Sequence, residues 1–282
     1  MDERLTAISR ALEYIERHLK EMARVEDMAQ ACGYSLYYFI RLFNQCVHLT
    51  PYDYLIRRRL AQAALELLNG ERRLLEIALD YGFQSAETFT RAFTRVFGIQ
   101  PSLARKQGGV DERLLLRPCS REQLLYYQTC GVPRSQFSNR SMQLLGGYVF
   151  QNDLTPDRLV EIIERLQALQ PLAREFFWVT TYPQPSMGLP PSYFAGIPVP
   201  DVSALPAQCL AKPIPAGSYA CFSQSDLPAY LQTARRYIYQ VWAANMAETF
   251  QSPLEACRIS LQLEKQSSQI LLPLFNNPKT TF

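Results

Sequence analysis

The chain has 282 residues, 48% of them hydrophobic, which is enough for about two domains with packed cores and too apolar for wholesale disorder. Its formal net charge is only +3, with 15 Lys and Arg against 13 Asp and Glu in residues 1–108 and 14 against 13 beyond. Any affinity for nucleic acid must therefore come from the placement of arginines rather than from gross charge. No apolar run approaches a membrane span, and the charged start MDERLTAISR lacks the apolar segment of a signal peptide. The seven cysteines never form a CxxC, and both histidines, His18 and His48, lie in the N-terminal half. These features point to a reduced, cytoplasmic protein without a metal centre or a cofactor.

Residues 1–108 contain a repeat. Ala29, Gly33 and Tyr34 recur 49 residues later as Ala78, Gly82 and Phe83, and Ser35, Phe39, Arg41, Phe43 and Pro51 recur 50 residues later as Ser85, Phe89, Arg91, Phe93 and Pro101. Leu5, Ile8, Leu12, Ile15 and Leu19 form an opening helical stripe. In the first copy, residues 25–32 form a short helix, Gly33 takes the turn, and Ser35 caps a second helix. Phe39, Leu42, Phe43 and Cys46 face the core of that helix, leaving Tyr37, Ile40, Arg41 and Asn44 on the other side. A short helix, a glycine turn and a longer helix make a helix-turn-helix unit, whose second helix fits a DNA major groove.

Thr50-Pro51 caps a long linking helix with Leu55, Leu60, Ala64, Leu67 and Leu68 on its core face. Its Arg57, Arg58 and Arg59 either touch DNA phosphates or are solvated surface charges. In the second copy, residues 75–81 form the supporting helix and Gln84 or Ser85 starts the reader. Phe89, Ala92, Phe93 and Val96 pack inward, while Ala86, Glu87, Thr88, Arg91 and Arg95 face outward. Ser35 and Ser85, at the two helix starts, are further phosphate candidates.

The stretch GYSLYYFIRLFNQ…TPYDYLIRRRL…EIALDYGFQSAETFTRAFTRVFGIQPS resembles the DNA-binding domain of AraC/XylS-type transcription regulators over residues 5–108. The resemblance implies base reading by Tyr37, Ile40 and Arg41 from the first unit and by Ala86, Glu87, Thr88 and Arg91 from the second. Arginine best supports bidentate guanine contacts, which puts Arg41 and Arg91 first. Ile40 suits a thymine methyl, and Ala86 offers a base edge no hydrogen bond.

Residues 109–140 show no sustained period and read as a linker and docking segment. In residues 141–282 the pattern changes. Strands are expected at 142–150, 176–182 and 193–199 around a helix that starts at Thr155-Pro156. Further strands are expected at 218–223, 259–264 and 270–274, around a helix over 227–246. The order gives two β-α-β-β repeats in an α+β domain. The segments YFAGIPV, KPIPAGSYACFSQ and ILLPL resemble the GyrI-like small-molecule-binding domain. That resemblance implies an aromatic cleft with a glutamate that meets lipophilic cations.

The aromatic candidates are Phe177, Trp178, Tyr182, Tyr193, Tyr219, Phe222 and Trp242, and the carboxylate candidates are Glu255 and Glu264. Glu255 shares strand parity with Ile259 and Leu261 if the strand extends that far, and otherwise lies in the Ser252-Pro253 loop. Cys257 stands where the family usually has a tyrosine. The expectation is a transcription regulator, monomer or weak dimer, binding promoter DNA and a small hydrophobic or cationic effector. Two alternatives for the C-terminal half are a docking module for RNA polymerase or gyrase, and a hydrolase of electrophilic compounds in which Glu255 and Tyr219 do acid–base work.

Overall fold

The computed structural model describes residues 3–224, 227–243, 253–261 and 266–274. The chain forms two compact units, Met1–Val132 with Arg235–Thr249, and Pro133–Ala234 with Phe250–Phe282. The first is helical, with α1 (Glu3–Arg17), α2 (Val25–Ala31), α3 (Leu36–Val47), α4 (Pro51–Asn69), α5 (Leu74–Asp80), α6 (Ala86–Phe97), α7 (Pro101–Gln107) and α8 (Arg121–Cys130). Both repeat copies close their turn alike. Gly33 and Gly82 take φ of +73° and +74°, and Tyr34 and Phe83 donate their N–H to Ala29 and Ala78 O. Only glycine adopts this backbone without a Cβ penalty. Phe39 and Phe43 of α3 and Phe89, Phe93 and Phe97 of α6 are all buried in one core with α1 and α4.

Of the three α4 arginines, Arg58 and Arg59 are neither phosphate contacts nor solvated charges. Arg58 is 2% exposed and donates from Nε and Nη2 to the two carboxylate oxygens of Glu16, 2.7 Å each, and from Nη1 to Leu116 O. Arg59 is buried and donates to Leu19 O (2.8 Å) and Glu21 O, in the α1–α2 connection. Arg57 is half-buried and donates to Gln240 O (2.9 Å). The physical reason is position. The linking helix is central, with ten of its nineteen residues buried, so arginines on it meet carbonyls and a carboxylate rather than solvent.

Within the 109–140 linker and docking segment, apolar residues draw most of the chain into the two units. Val110, Leu114, Leu116 and Leu124 pack into the helical core, and residues 134–140 become a strand. The helix expected over 227–246 is α10 (Leu227–Tyr237), followed by a π-helical turn, Ile238–Trp242. Arg235–Thr249 belongs to the first unit, with Val241 buried in its core.

The second unit is an eight-stranded antiparallel sheet with β1 (Arg134–Arg140), β2 (Gln143–Phe150), β3 (Glu175–Thr181), β4 (Ser192–Pro198), β5 (Leu210–Ile214), β6 (Gly217–Gln224), β7 (Leu254–Leu261) and β8 (Gln266–Pro273), with α9 (Pro156–Gln167) between β2 and β3. The spatial order is β1-β6-β8-β7-β3-β4-β2-β5. Each half is β-β-α-β-β rather than β-α-β-β, because β1 and the short β5 are added. Exchanging the halves, β1 for β5 through β4 for β8, reverses the order into itself. The first strand of each half pairs with the second strand of the other.

One face of the sheet buries Leu145, Phe177, Val179, Phe194, Ile214, Tyr219, Cys221, Ala256 and Leu271. On this face Lys212 of edge strand β5 donates to Thr181 Oγ1 of β3 (2.8 Å) across two intervening strands, so the sheet curls around it. The other face carries Phe176, Trp178, Ala195 and Ile259 under Leu159, Ile162 and Leu166 of α9.

Two stability outcomes are expected from these contacts. Glu16→Ala leaves the buried Arg58 guanidinium without its carboxylate and is expected to cost about 3–5 kcal/mol in urea unfolding. Glu66 of α4 accepts from Lys20 Nζ and from Tyr81 Oη (2.8 Å). Burial opposes its ionisation, but these bonds and the charges of Lys20 and Arg72 outweigh it and hold the carboxyl below its ordinary value. Its stabilisation is therefore complete above about pH 4.5 and lost as pH falls through the lowered pKa. Urea midpoints measured against pH should fall less steeply on the acid side in Glu66→Gln than in the wild type.

Candidate nucleic-acid interface

The two second helices of the repeat present matching faces. On α3, Tyr37, Ile40, Arg41 and Asn44 are exposed, Tyr37 to 79%, and all lie opposite the buried Phe39–Phe43 stripe. On α6, Glu87, Arg91 and Arg95 are exposed at successive i, i+4 positions, with Ala86 half-buried at the first turn. The face of α3 is aromatic and aliphatic with one arginine, whereas that of α6 is charged, with two arginines behind one glutamate. Both are the length of side chain that reaches a base edge in a major groove.

The helix starts separate two expected roles. Ser85 Oγ accepts from Thr88 N (3.2 Å) and Thr88 Oγ1 accepts from Ser85 N (3.1 Å), a reciprocal cap with threonine at the usual glutamate position. Thr88 also donates to Ser85 O (2.9 Å). Thr88 gives its hydroxyl proton to this cap, which takes it from base reading, whereas Ser85 Oγ only accepts within the cap. Ser35, at the same repeat position, is exposed in extended backbone and makes no side-chain cap bond. Its hydroxyl and the first-turn amides of α3 face solvent chemistry that α6 satisfies internally.

The candidate effector residues fall on two faces of the sheet. Register places Phe150, Tyr193, Thr180 and Glu255 in one row across β2, β4, β3 and β7. The next row is Ala195, Trp178, Cys257, Ile270 and Phe222. Glu255 therefore lies within β7, not in a loop, fully buried on the α9-covered face. Trp178 stacks on Tyr193 with ring centroids 5.9 Å apart, and its Nε1 donates to Asp153 (3.1 Å). Tyr182, just beyond β3, is half-buried and donates its N–H to Pro253 O (2.7 Å).

Phe177 and Tyr219 lie on the opposite face, where Tyr219 Oη donates to Pro215 O (2.6 Å). They share no cleft with Glu255, because strand parity sends neighbouring side chains to opposite sides of a sheet. The Glu255–Tyr219 acid–base pair fails for the same reason. Trp242 belongs to the first unit, and Glu264 lies outside the described residues. No cleft stands open between α9 and the sheet, since the void there is about 10 Å³, the lower limit for one water.

Sequence reasoning missed His48, the C-cap of α3, which adopts φ 61° and ψ 20°. The repeat carried the signal. Position 48 corresponds to Gly98, the C-cap of α6, which takes φ 69°.

A family model described as a helix-turn-helix domain matches residues 28–107. The chain is 40% identical over 101 residues to the transposon Tn10 TetD protein of Escherichia coli, covering 36% of this chain and 73% of that protein. It is 38% identical over 95 residues to the regulatory protein SoxS of Salmonella typhimurium, covering 34% and 89%. Among solved structures, the DNA-binding domain of AdpA, a global transcriptional factor in complex with a target DNA, is 28% identical, covering 38% of this chain and 92% of that one at a TM-score of 0.33. No described helix is long and apolar enough to cross a membrane.

The geometry separates exposed arginines on α3 and α6 from bonded ones on α4. Arg41→Ala and Arg91→Ala should each weaken binding to a selected duplex by about 1–3 kcal/mol and relax base choice at their own positions. Arg57→Ala, by contrast, should leave the slope of log K against log salt unchanged in anisotropy titrations, since its guanidinium already bonds a backbone carbonyl. A phosphate contact would instead flatten that slope by about one unit.

Proposed function

Because the chain belongs to the AraC/XylS family of DNA-binding transcription regulators, we propose that it reads promoter DNA through α3 and α6 while its sheet unit senses a small molecule. The observation that carries the DNA reading is the pair of exposed faces, Tyr37, Ile40, Arg41 and Asn44 on α3 and Ala86, Glu87, Arg91 and Arg95 on α6, on helices held by equivalent glycine turns. Arg41 and Arg91 make the bidentate contacts to guanine, Ile40 packs on a thymine methyl, and Ser35 meets a phosphate. Both readers lie in one chain, so a monomer suffices for an asymmetric site.

For the effector, the supporting observation is Glu255, fully buried in the row with Tyr193 and one row from Trp178. A carboxylate beside aromatic faces in a low-dielectric setting attracts a lipophilic cation by charge and by cation–π interaction. Trp178, Tyr193, Phe222 and Glu255 share the α9-covered face and form the candidate site, with Tyr182 at its edge. Leu159, Ile162 and Leu166 of α9 lie over Trp178, and a ligand that displaces them selects an arrangement of the second unit different from the closed one, which is the requirement for a switch.

The test is thermal unfolding of the full chain, wild type and Glu255→Gln, with panels of lipophilic cations, anions and neutral compounds. Cations should raise the wild-type midpoint, with about 2.7 kcal/mol of stabilisation at one hundred times Kd, and have no effect on the variant. Absence of a shift with every compound would remove the sensor reading and leave the second unit as a docking module for RNA polymerase or gyrase.

A further inference from the structure

The corner between α3 and α4 is held from the far end of the sequence. His48 is the only non-glycine with positive φ among the described residues, a backbone that most side chains avoid. Its repeat counterpart Gly98 takes the same conformation without a side chain. Position 48 thus carries a ring where its repeat counterpart carries none. It lies edge-on between two tyrosine rings, Tyr127 of α8 at 5.1 Å and Tyr237 at the end of α10 at 5.8 Å, and the two tyrosines meet each other at 6.0 Å. Tyr127 is itself fixed, its hydroxyl accepting from Gln123 Nε2 (2.7 Å). Burial keeps His48 towards its neutral form.

A second attachment lies one turn further on. Within the π-helical turn, Gln240 O accepts from Arg57 Nη1 of α4 (2.9 Å), and Gln240 Nε2 donates to Leu115 O (2.9 Å). The neighbouring Tyr239 lies under Arg113 at 4.8 Å, and Val241 is 5% exposed in the helical core. Residues 237–241 thus grip the α3–α4 corner at His48 and at Arg57. π-helical turns are uncommon, and they often occur where a helix is bent to a task.

We propose that Tyr237–Val241 is a positioning clamp for the first reading helix, so that base discrimination by α3, and not by α6, is set from the C-terminal part of the chain. The proposal rests on the reading of α3 and α6 as DNA readers. The clamp residues touch no base; they act through His48 and Arg57 on the orientation of α3.

The experiment uses the full chain and a duplex that the wild type selects from a randomised pool, with every base pair then substituted singly. The profile of Arg41→Ala marks the bases read by α3, and that of Arg91→Ala marks those read by α6. His48→Gly keeps the left-handed cap, as Gly98 does, while deleting the ring. It should lose about 2- to 30-fold of discrimination at the Arg41 bases and none at the Arg91 bases. Tyr237→Leu should do the same, and Tyr237→Phe, which keeps the ring, should retain the wild-type profile. Unchanged profiles in His48→Gly and Tyr237→Leu overturn the clamp. So does an equal loss across both halves, which is the mark of general destabilisation. If Arg41→Ala loses discrimination and His48→Gly does not, reading by α3 stands and the clamp alone falls.

Discussion

The helical unit depends on two buried guanidinium groups next to each other on α4. Arg58 reaches back to Glu16 of α1 and forward to Leu116 O, and Arg59 holds the carbonyls of Leu19 and Glu21. Five donors in a rigid plane let one side chain tie several segments at once, which a lysine cannot do. Arg59 also lies against the second repeat copy, since a Cβ on Gly82 would stand 2.8 Å from its Nη1. The glycine is thus required twice, for its positive φ and for this approach. The turn of the second reader and the entry to the first are linked through one side chain.

Two different solutions to the same packing problem appear in the repeat. The α6 start is closed by its own Ser85–Thr88 cap, and the end by Gly98. The α3 start has no such side-chain cap, and its end is closed by a histidine that packs against the rings of Tyr127 and Tyr237. One helix is capped from within its own repeat copy, and the other meets residues from outside it. The divergence accounts for a repeat that is faithful in its core phenylalanines and unlike at its ends.

Much of this was legible in the sequence, and what was not has physical reasons. Core stripes such as Phe39–Phe43 and Phe89–Phe93 follow from period 3.6, and the glycine turns from φ, so the helix-turn-helix units could be read directly. The α4 arginines could not, because a charge pattern does not tell a solvated arginine from one whose carboxylate partner lies 42 residues away. The two edge strands escaped for lack of a buried face: β1 is exposed along almost its whole length, and β5 is short and contains Pro213. Parity placed Glu255 on an apolar face correctly, but the pairing of Phe177 and Tyr219 on the other face needed the register. Thr88 was misread because a hydroxyl facing outward on a helical wheel can turn back to its own cap.

The exchange of first strands between the halves of the sheet has a consequence for how the chain acquires its structure. β1 emerges early but has no partner until β6 has been made, with Arg134 opposite Ser223. Neither half closes its own edge, so the sheet forms as one late, high-contact-order event. Residues 235–243 follow β6 in the chain and complete the helical unit. During synthesis from the N-terminus, the two reading helices can form long before the chain reaches that segment. Their corner is finished only after most of the sheet's sequence has left the ribosome. A nascent or cleaved chain lacking residue 235 onward would carry α3 and α6 without the segment that packs on His48 and Arg57. Formation of the two helices and completion of the corner beside the first are thereby separated in time.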